Sequence, residues 1–279
     1  MKYLSQVLFL LILLSASASA QVYLFLNGGY NADAGGITIM GNRTSVSHSS
    51  NGVRDYTDTF EKIDASFGKG SVLAGGFSLY WSENISMEIA AEMLSGGSYK
   101  GTTTDKSYVD GILNNNYEYT TTWNFTSLNV LPSLVLRMPS GTVSPFVRIG
   151  GMLAFPDIDY QFTSSGGSTF KHVYSGGVGY GMTGALGASV RMIGGLEFWM
   201  DIHYASASWS PTKDEYTDME GVKWNLELKD SYTETYRYVN SKRVPEEKYD
   251  MAPTIPLGYA GMSAGIRLVI GGREPELSE

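Results

Sequence analysis

The residues of this sequence that could do chemistry are charged side chains. They are spaced two or four residues apart inside segments that are otherwise apolar. In each segment they share one parity, while the aliphatic residues share the other. The set defined by this parity is Glu88, Glu92, Arg137, Arg148, Arg191, Glu197, Asp201, His203 and Arg267. Because an unpaired buried charge is very costly, both signs on one enclosed face predict a network of structural ion pairs. The alternative is a polar pathway whose pairs exchange partners and gate a narrow conductance.

Two arrangements within this set resemble catalytic ones. Glu88 and Glu92 could form a carboxylate dyad, but four residues along a strand span about 13 Å, which is too far for shared acid–base work. Asp201, His203 and Ser206 have the residue types of a hydrolase triad, but Ser206 has the opposite parity to His203 and points to the other face. The sequence therefore predicts no catalytic residue and a protein that is not an enzyme.

Metal and cofactor chemistry also lack support in the sequence. The chain has no cysteine, and the loop histidines His48 and His172 have no neighbours at metal-ligand spacing. Glycine pairs such as Gly150-Gly151 fall inside apolar segments, so they predict strand bends and not a phosphate-binding loop, which would need a following helix. The formal net charge of −8 gives no basic surface for nucleic acid. We expect no metal, no cofactor and no nucleic-acid partner.

Strands must position the charged face, because the alternation has a period of two residues. The clearest case is a hairpin over 127–155, in which a Pro139-Ser140-Gly141 turn joins two strands. The other predicted strands cover 22–30, 72–81, 85–94, 174–191, 196–207 and 257–270. The pattern thus predicts eight strands, joined alternately by four long polar connections and three short turns.

The aliphatic parity of these strands is typical of a surface that faces lipid. Every lysine after residue 20 falls in the predicted connections, whereas the polar parity of a water-soluble barrel would normally carry lysines. Aromatic residues near the predicted strand ends suit the girdles found at both membrane interfaces. They are Trp81, Trp123, Phe155, Tyr174, Tyr204, Trp209 and Tyr259.

The two ends of the chain carry short segments of their own. Residues 1–20 combine Lys2, an apolar core and a small-residue Ala18-Ser19-Ala20 site, which is typical of a secretory signal peptide. We expect residues 21–270 to form one outer-membrane domain and residues 271–279 a short periplasmic tail.

Two stretches resemble the OmpA-like outer-membrane β-barrel superfamily of small surface and opacity-type proteins. One is the hairpin, with residues 131–138, a Pro/Gly turn and the sequence SPFVRIGG over 144–151. The other is the last strand, where Ser263, Gly265, Leu268 and Ile270 are similar to the signal read by the barrel assembly machinery, although Ile270 stands where the family has Phe. The resemblance implies an all-β, eight-stranded, antiparallel up-and-down transmembrane barrel in the bacterial outer membrane.

Such scaffolds host several activities, so the resemblance implies a location rather than a function. The first hypothesis is a non-enzymatic protein that presents surface loops for envelope integrity, adhesion or surface interaction. The expected partners are outer-membrane lipids, the barrel assembly machinery, and host or surface ligands at the loops, with a monomeric chain. A narrow porin-like channel for small solutes is the alternative function, and a lipid-modifying outer-membrane enzyme is the third.

Overall fold

A computed structural model describes residues 21–34, 37–50, 53–65, 67–138, 142–192, 195–229, 236–239, 242–245, 249–251 and 253–271. Within those ranges the chain is built from strands and contains no α-helix, and so no helix that could span a membrane. The predicted signal peptide, the turn at Pro139-Ser140-Gly141 and residues 272–279 of the predicted tail lie outside the described residues.

Sixteen strands follow one another along the described chain. They are β1 Gln21–Asp33, β2 Ile37–Ser50, β3 Val53–Ala65, β4 Gly70–Tyr80, β5 Ile85–Val109, β6 Ile112–Arg137, β7 Val143–Ser164, β8 Thr169–Ser175, β9 Gly179–Arg191, β10 Leu196–Trp209, β11 Lys213–Thr217, β12 Lys223–Lys229, β13 Tyr236–Val239, β14 Lys242–Pro245, β15 Tyr249–Met251 and β16 Ile255–Gly271.

The predicted fold class, an eight-stranded and purely antiparallel barrel with four long loops, is wrong. The main sheet has 14 strands and is mixed, because β2 pairs in parallel with β5 and β12 pairs in parallel with β15. The extra strands come from the polar segments that were expected to be loops. Those segments are rich in Thr, Ser and Tyr, which suit a strand with water on both faces but give no apolar alternation to detect.

Seven of the eight segments predicted as strands each lie largely within one strand, and most of these strands are longer than expected. The predicted strand 174–191 is wrong as one strand, because Tyr174 and Ser175 belong to β8 and β9 begins at Gly179. β5 and β6 run for 25 and 26 residues, far beyond the predicted ranges. Eight strands form a set in which each pairs antiparallel with two others of the set: β1 pairs with β16 and β4, and β6 pairs with β5 and β7. β4, β5, β7, β9, β10 and β16 are the other six.

These eight strands bury one face, which we call the inner face. Side chains from strands far apart in the sheet order meet there, as when Arg267 of β16 contacts Glu88 of β5. At one end the inner face carries an apolar cluster that includes Phe67, Phe125 and Trp209. A second apolar cluster around Trp199 lies further along, among charged side chains. The inner face therefore combines apolar and charged layers.

The opposite face of the same strands is an exposed apolar belt, and its residues on β5, β6, β7, β9, β10 and β16 have the parity predicted to face lipid. The apolar belt consists of Leu24, Leu26, Leu73, Phe77, Ile85, Met93, Leu128, Leu134, Leu136, Ile149, Leu153, Phe155, Tyr180, Met182, Leu186, Phe198, Met200, Ile202, Tyr204, Met262, Ile266, Leu268 and Ile270. These residues span nine positions on β5, β6 and β16 and seven on β7, β9 and β10. A tilted strand needs about nine to eleven residues to cross a bilayer.

Beyond the apolar belt the sheet continues as a polar structure that we call the sheet extension. It contains the outer parts of β5, β6 and β7 together with β2, β3, β8, β11, β12 and β15. Lysines of the described chain, such as Lys100, Lys106 and Lys171, lie in strands of this extension and not in loops. Gln21 and Gly271 lie at the other end, beside the short turn at 81–84.

Close packing at the inner face gives the first prediction, a destabilising effect of Gly187→Ala. A Cβ at Gly187 would lie 2.8 Å from the Cβ of Asp201 and against the ring of Phe146, whereas a Cβ at Gly97 would meet nothing within 4 Å. We expect Gly187→Ala to lower the free energy of unfolding by about 1–3 kcal/mol, because a well-filled interior tolerates added atoms poorly. Gly97→Ala should be neutral or slightly stabilising in the same urea titration. Equal effects of the two substitutions would contradict this packing.

Candidate functional site

Arg267 is the centre of the charged network on the inner face. Its guanidinium is 1% exposed, and it makes an ion pair with Glu88 through Nη2. Nη1 donates to the hydroxyl of Tyr80 at 2.8 Å and lies 3.5 Å from Oε2 of Glu197. One buried cation thus holds two carboxylates and a phenol from three other strands, β4, β5 and β10.

Glu197 carries the network on to a second arginine. Its Oε1 lies 2.8 Å from Nη1 of Arg137, and Nη2 of Arg137 donates to the Tyr80 hydroxyl at 2.7 Å. The Tyr80 oxygen therefore accepts from both Arg137 and Arg267, which uses its two lone pairs. The aromatic ring of Tyr80 also lies 5.2 Å below the Arg137 guanidinium, a cation–π distance.

Arg148 joins this group to the carboxylate of Asp201. Its Nε lies 3.1 Å from Glu88 and its Nη1 lies 3.2 Å from Asp201, with the guanidinium 5.0 Å above the ring of Trp199. Nε of Arg148 and Oδ2 of Asp201 have no aligned hydrogen-bond partner among the described residues. Charge and ring contact, more than directed hydrogen bonds, hold Arg148 in place.

His203 is attached to the same carboxylate. Its Nδ1 lies 3.1 Å from Oδ1 of Asp201 and its Nε2 lies 2.8 Å from Oδ1 of Asn31. Ser263 donates to Asp201 at 2.8 Å, while Ser206 is exposed on the outer face as its parity predicted. Among the described residues His203 bonds to Asp201 and Asn31 and to no serine hydroxyl, so this group has the geometry of a structural hydrogen-bond chain and not of a hydrolase triad.

Two of the predicted charges lie outside this network. Glu92 is buried but has no cation; its Oε1 accepts from Asn129 and from the hydroxyl of Tyr259, both at 2.8 Å. Arg191 is exposed at the end of β9. The prediction of one common network is therefore too broad, because parity defines the face of a side chain but not its depth or its partners.

The space between Glu92 and the arginine network is small. A cavity of about 30 Å³ is lined there by Glu88, Glu92, Arg148 and His203, among other residues. Such a volume holds about one water molecule. Charged side chains of the inner face thus enclose only a small cavity at this depth.

Only three of the seven residues predicted to form an aromatic girdle are exposed on the outer face. Trp81, Phe155 and Tyr204 are exposed on the outer face. Trp209 and Tyr259 are buried on the inner face, and their assignment to a girdle is wrong. Their parity, shared with Asp201 and Ser263 respectively, already indicated the inner face. Trp123 and Tyr174 are half-buried against the inner apolar cluster, so their assignment is wrong as well.

Two residues of the predicted assembly signal lie on each face of β16. Ser263 and Gly265 are buried on the inner face, and Leu268 and Ile270 are exposed in the apolar belt. These faces agree with the odd or even position of each residue along the strand. Recognition by the assembly machinery remains a prediction.

Several residues of the inner face were not singled out from the sequence. They are Tyr80, Asn31, Asn129 and Ser78, the last of which donates to Glu88 at 3.0 Å. Asn129 has the same parity as Arg137 on β6, so the signal was present for that residue, whereas β1 and β4 hold no predicted charge that would mark their inner face. Neutral polar side chains were passed over because Asn, Ser and Tyr are also common in exposed positions.

The sheet extension carries a second group of functional interest, which we call the aromatic face. It is the continuation of the inner face beyond the buried core, and all its members are half-buried. The aromatic face consists of Tyr119, Tyr160, Phe162, Phe170, His172 and Tyr216. Sequence alternation did not predict the aromatic face, because its residues come from three polar segments that were expected to be separate loops.

Two groups of the sheet extension have displaced pKa values. A hydrogen bond from Ser45 lowers the pKa of the exposed Asp58 carboxyl, and the Arg43 guanidinium, 3.2 Å away, lowers it further. Burial raises the pKa of the Tyr160 hydroxyl, so this member of the aromatic face is uncharged at neutral pH. No group of three or more metal-ligating side chains occurs in the part of the chain described above.

Comparison with known proteins gives no relative from which a function could be transferred. No protein-family model matches this sequence, and no curated protein matches it either. A function for this protein is therefore inferred from its fold and from the two groups of residues just described.

The network predicts unequal effects for two arginines of the same predicted set. Removing Arg267 leaves Glu88 and Glu197 buried without their central cation, so Arg267→Met should lower the free energy of unfolding by about 3–5 kcal/mol. Arg191→Met is the matched control and should change it by less than about 0.5 kcal/mol, because Arg191 is exposed. Urea titration followed by tryptophan fluorescence measures both. Similar losses for the two variants would contradict the assignment of Arg267 as the centre.

Proposed function

We propose that this protein is a non-enzymatic protein of the bacterial outer membrane that presents its sheet extension at the cell surface. The observation that carries the proposal is the distribution of polarity across the eight long strands. Their exposed face is the apolar belt, and their buried face holds the charged network. This is the reverse of a water-soluble sheet, in which the buried face is apolar and the exposed face is polar.

Lipid is the solvent that suits such a surface. Soluble proteins rarely expose a contiguous apolar patch larger than a few hundred Å², whereas the apolar belt continues across all eight strands. Strands can enter a bilayer only if their backbone polar groups are paired within the protein. Each of the eight strands has hydrogen-bonded neighbours on both sides, which meets that requirement.

The orientation follows from the ends of the strands. Gln21, Gly271 and the short turn at 81–84 lie at one end, and the sheet extension lies at the other. An exported chain that begins after a signal peptide would keep its termini and short turns in the periplasm. The sheet extension, with its lysines and carboxylates, would then project from the cell.

The charges of the inner face support a structural function more than a catalytic one. Arg137, Arg148 and Arg267 each have a carboxylate partner. Ser263 directs its hydroxyl to Asp201, so His203 is not placed to take its proton. Charges that neutralise one another in this way stabilise the arrangement of the strands, and the lipid-modifying hypothesis finds no support among these contacts.

Accessibility of two inserted epitopes tests the location and the orientation together. One epitope is inserted at the Asp110-Gly111 turn, which is exposed at the tip of the β5–β6 hairpin. The other is inserted at Glu83 in the short turn between β4 and β5. Antibody should label intact cells only for the insertion at 110–111, and should label both after the outer membrane is permeabilised.

Labelling of intact cells at Glu83 but not at 110–111 would contradict the orientation. Recovery of both tagged proteins in the soluble periplasmic fraction would contradict the membrane location. Outer-membrane fractionation and the change of gel mobility on heating provide the control that each tagged protein is folded and inserted.

The charged interior also yields a prediction about the alternative function of a narrow channel. Because the ion pairs leave a cavity of only about 30 Å³, the purified protein should give no conductance steps in a planar lipid bilayer. Arg148→Leu removes one cation but fills the same space, so it too should stay silent. Stable unitary steps from the unsubstituted protein would make the channel the better proposal.

A further inference from the structure

The six rings of the aromatic face form one continuous surface. Tyr119 stacks on Phe162 with 5.0 Å between ring centroids, and Phe162 stacks on Phe170 at 4.6 Å. Phe170 lies 6.3 Å from Tyr216, whose ring lies 4.6 Å from that of His172. The rings belong to four adjacent strands, β6, β7, β8 and β11, so the sheet itself sets their spacing.

The surface stays partly open although its base is anchored. Its base is Tyr160, which contacts Trp123 at 4.4 Å, and Trp123 packs against the inner apolar cluster. Further from the core, each ring is covered on one side by its neighbours and remains in the intermediate range of exposure. Aligned, half-exposed rings are unusual in a strongly polar part of a molecule, because apolar surface in contact with water is normally buried.

One polar group is built into this row. The carboxylate of Asp214 is 2% exposed, and its Oδ2 lies 2.7 Å from Nδ1 of His172. This contact orients the imidazole, and Nε2 makes no hydrogen bond to the described residues. A ligand site of mostly aromatic surface with a few fixed polar groups is the usual design for a small-molecule or chain ligand.

We propose that the aromatic face binds a neutral oligosaccharide chain. Pyranose rings present apolar C–H faces that stack on aromatic rings, and their hydroxyl edges can bond to His172 and to the hydroxyls of Tyr119 and Tyr216. The Asp214–His172 pair contributes no excess of positive charge, so nothing in the row favours a phosphate or sulfate group. A nucleic acid would also stack, but the net charge of −8 opposes it.

This inference deepens the proposed function, because it names the class of ligand that the sheet extension would meet at the cell surface. Binding itself is measured on the purified full-length protein in a detergent without a sugar headgroup. That measurement does not depend on cell location or orientation, so failure of the two proposals can be told apart.

The probes are maltohexaose, cellohexaose and chitohexaose, each titrated by isothermal calorimetry. We expect at least one hexasaccharide to bind, and Phe170→Leu to weaken it about tenfold, because leucine keeps the apolar volume but not the stacking surface. Phe60→Leu is the matched control, since Phe60 is 70% exposed on β3 and lies outside the aromatic face. It should leave the affinity unchanged.

Lack of binding by all three hexasaccharides would overturn the inference. So would equal losses in Phe170→Leu and Phe60→Leu, which would indicate nonspecific contact with exposed aromatic residues. Asp214→Asn provides a second variant that keeps the rings in place. It should weaken binding by loosening the orientation of His172, and unchanged affinity in both Asp214→Asn and Phe170→Leu would place the binding elsewhere.

Discussion

The contact of Arg267 with Glu88, Glu197 and Tyr80 is the interaction on which the inner face of this protein depends. All four groups are buried, and a charge in that position is tolerated only when it is paired and hydrogen-bonded. The pairs join β16 to β4, β5 and β10, and β16 lies far along the chain from β4 and β5, so the contacts cross-link segments that are remote in sequence. Arg137 and Arg148 extend the same principle to β6 and β7. The network thus sets which strands face one another across the interior.

A polar interior leaves the apolar side chains on the outside, and this has consequences for the whole chain. In the outer-membrane location proposed above, the apolar belt would face lipid, which requires a paired backbone along every strand. Beyond the apolar belt the same strands continue as polar strands. β5 and β6 do this for more than half of their length and are joined there by the shorter strands of the sheet extension. The aromatic face is a product of that continuation, because β8 and β11 join β6 and β7 only beyond the apolar belt.

Both the correct and the wrong predictions of strands and faces have physical causes. Alternation identified the eight long strands and the face of nearly every residue in them, because one face is apolar and the other is not. The same method failed for β2, β3, β8 and β11, whose sequences lack a regular alternation of apolar and polar residues and so resemble loops. It therefore missed the parallel pairing of β2 with β5 and predicted the wrong fold class. Trp209 and Tyr259 were assigned by their nearness to strand ends, although their parity indicated the buried face.

The sequence by itself determined the face on which each charged residue lies, since side-chain direction in a strand depends only on odd or even position. It also determined that Ser206 could not serve His203, for the same reason. Only the tertiary structure decided that Glu88 meets Arg267 and Arg148, that Glu92 meets Tyr259 instead, and that Arg191 meets solvent. Partners and depth depend on register and on which strands are neighbours, and these are properties of hydrogen bonding between segments far apart in the chain.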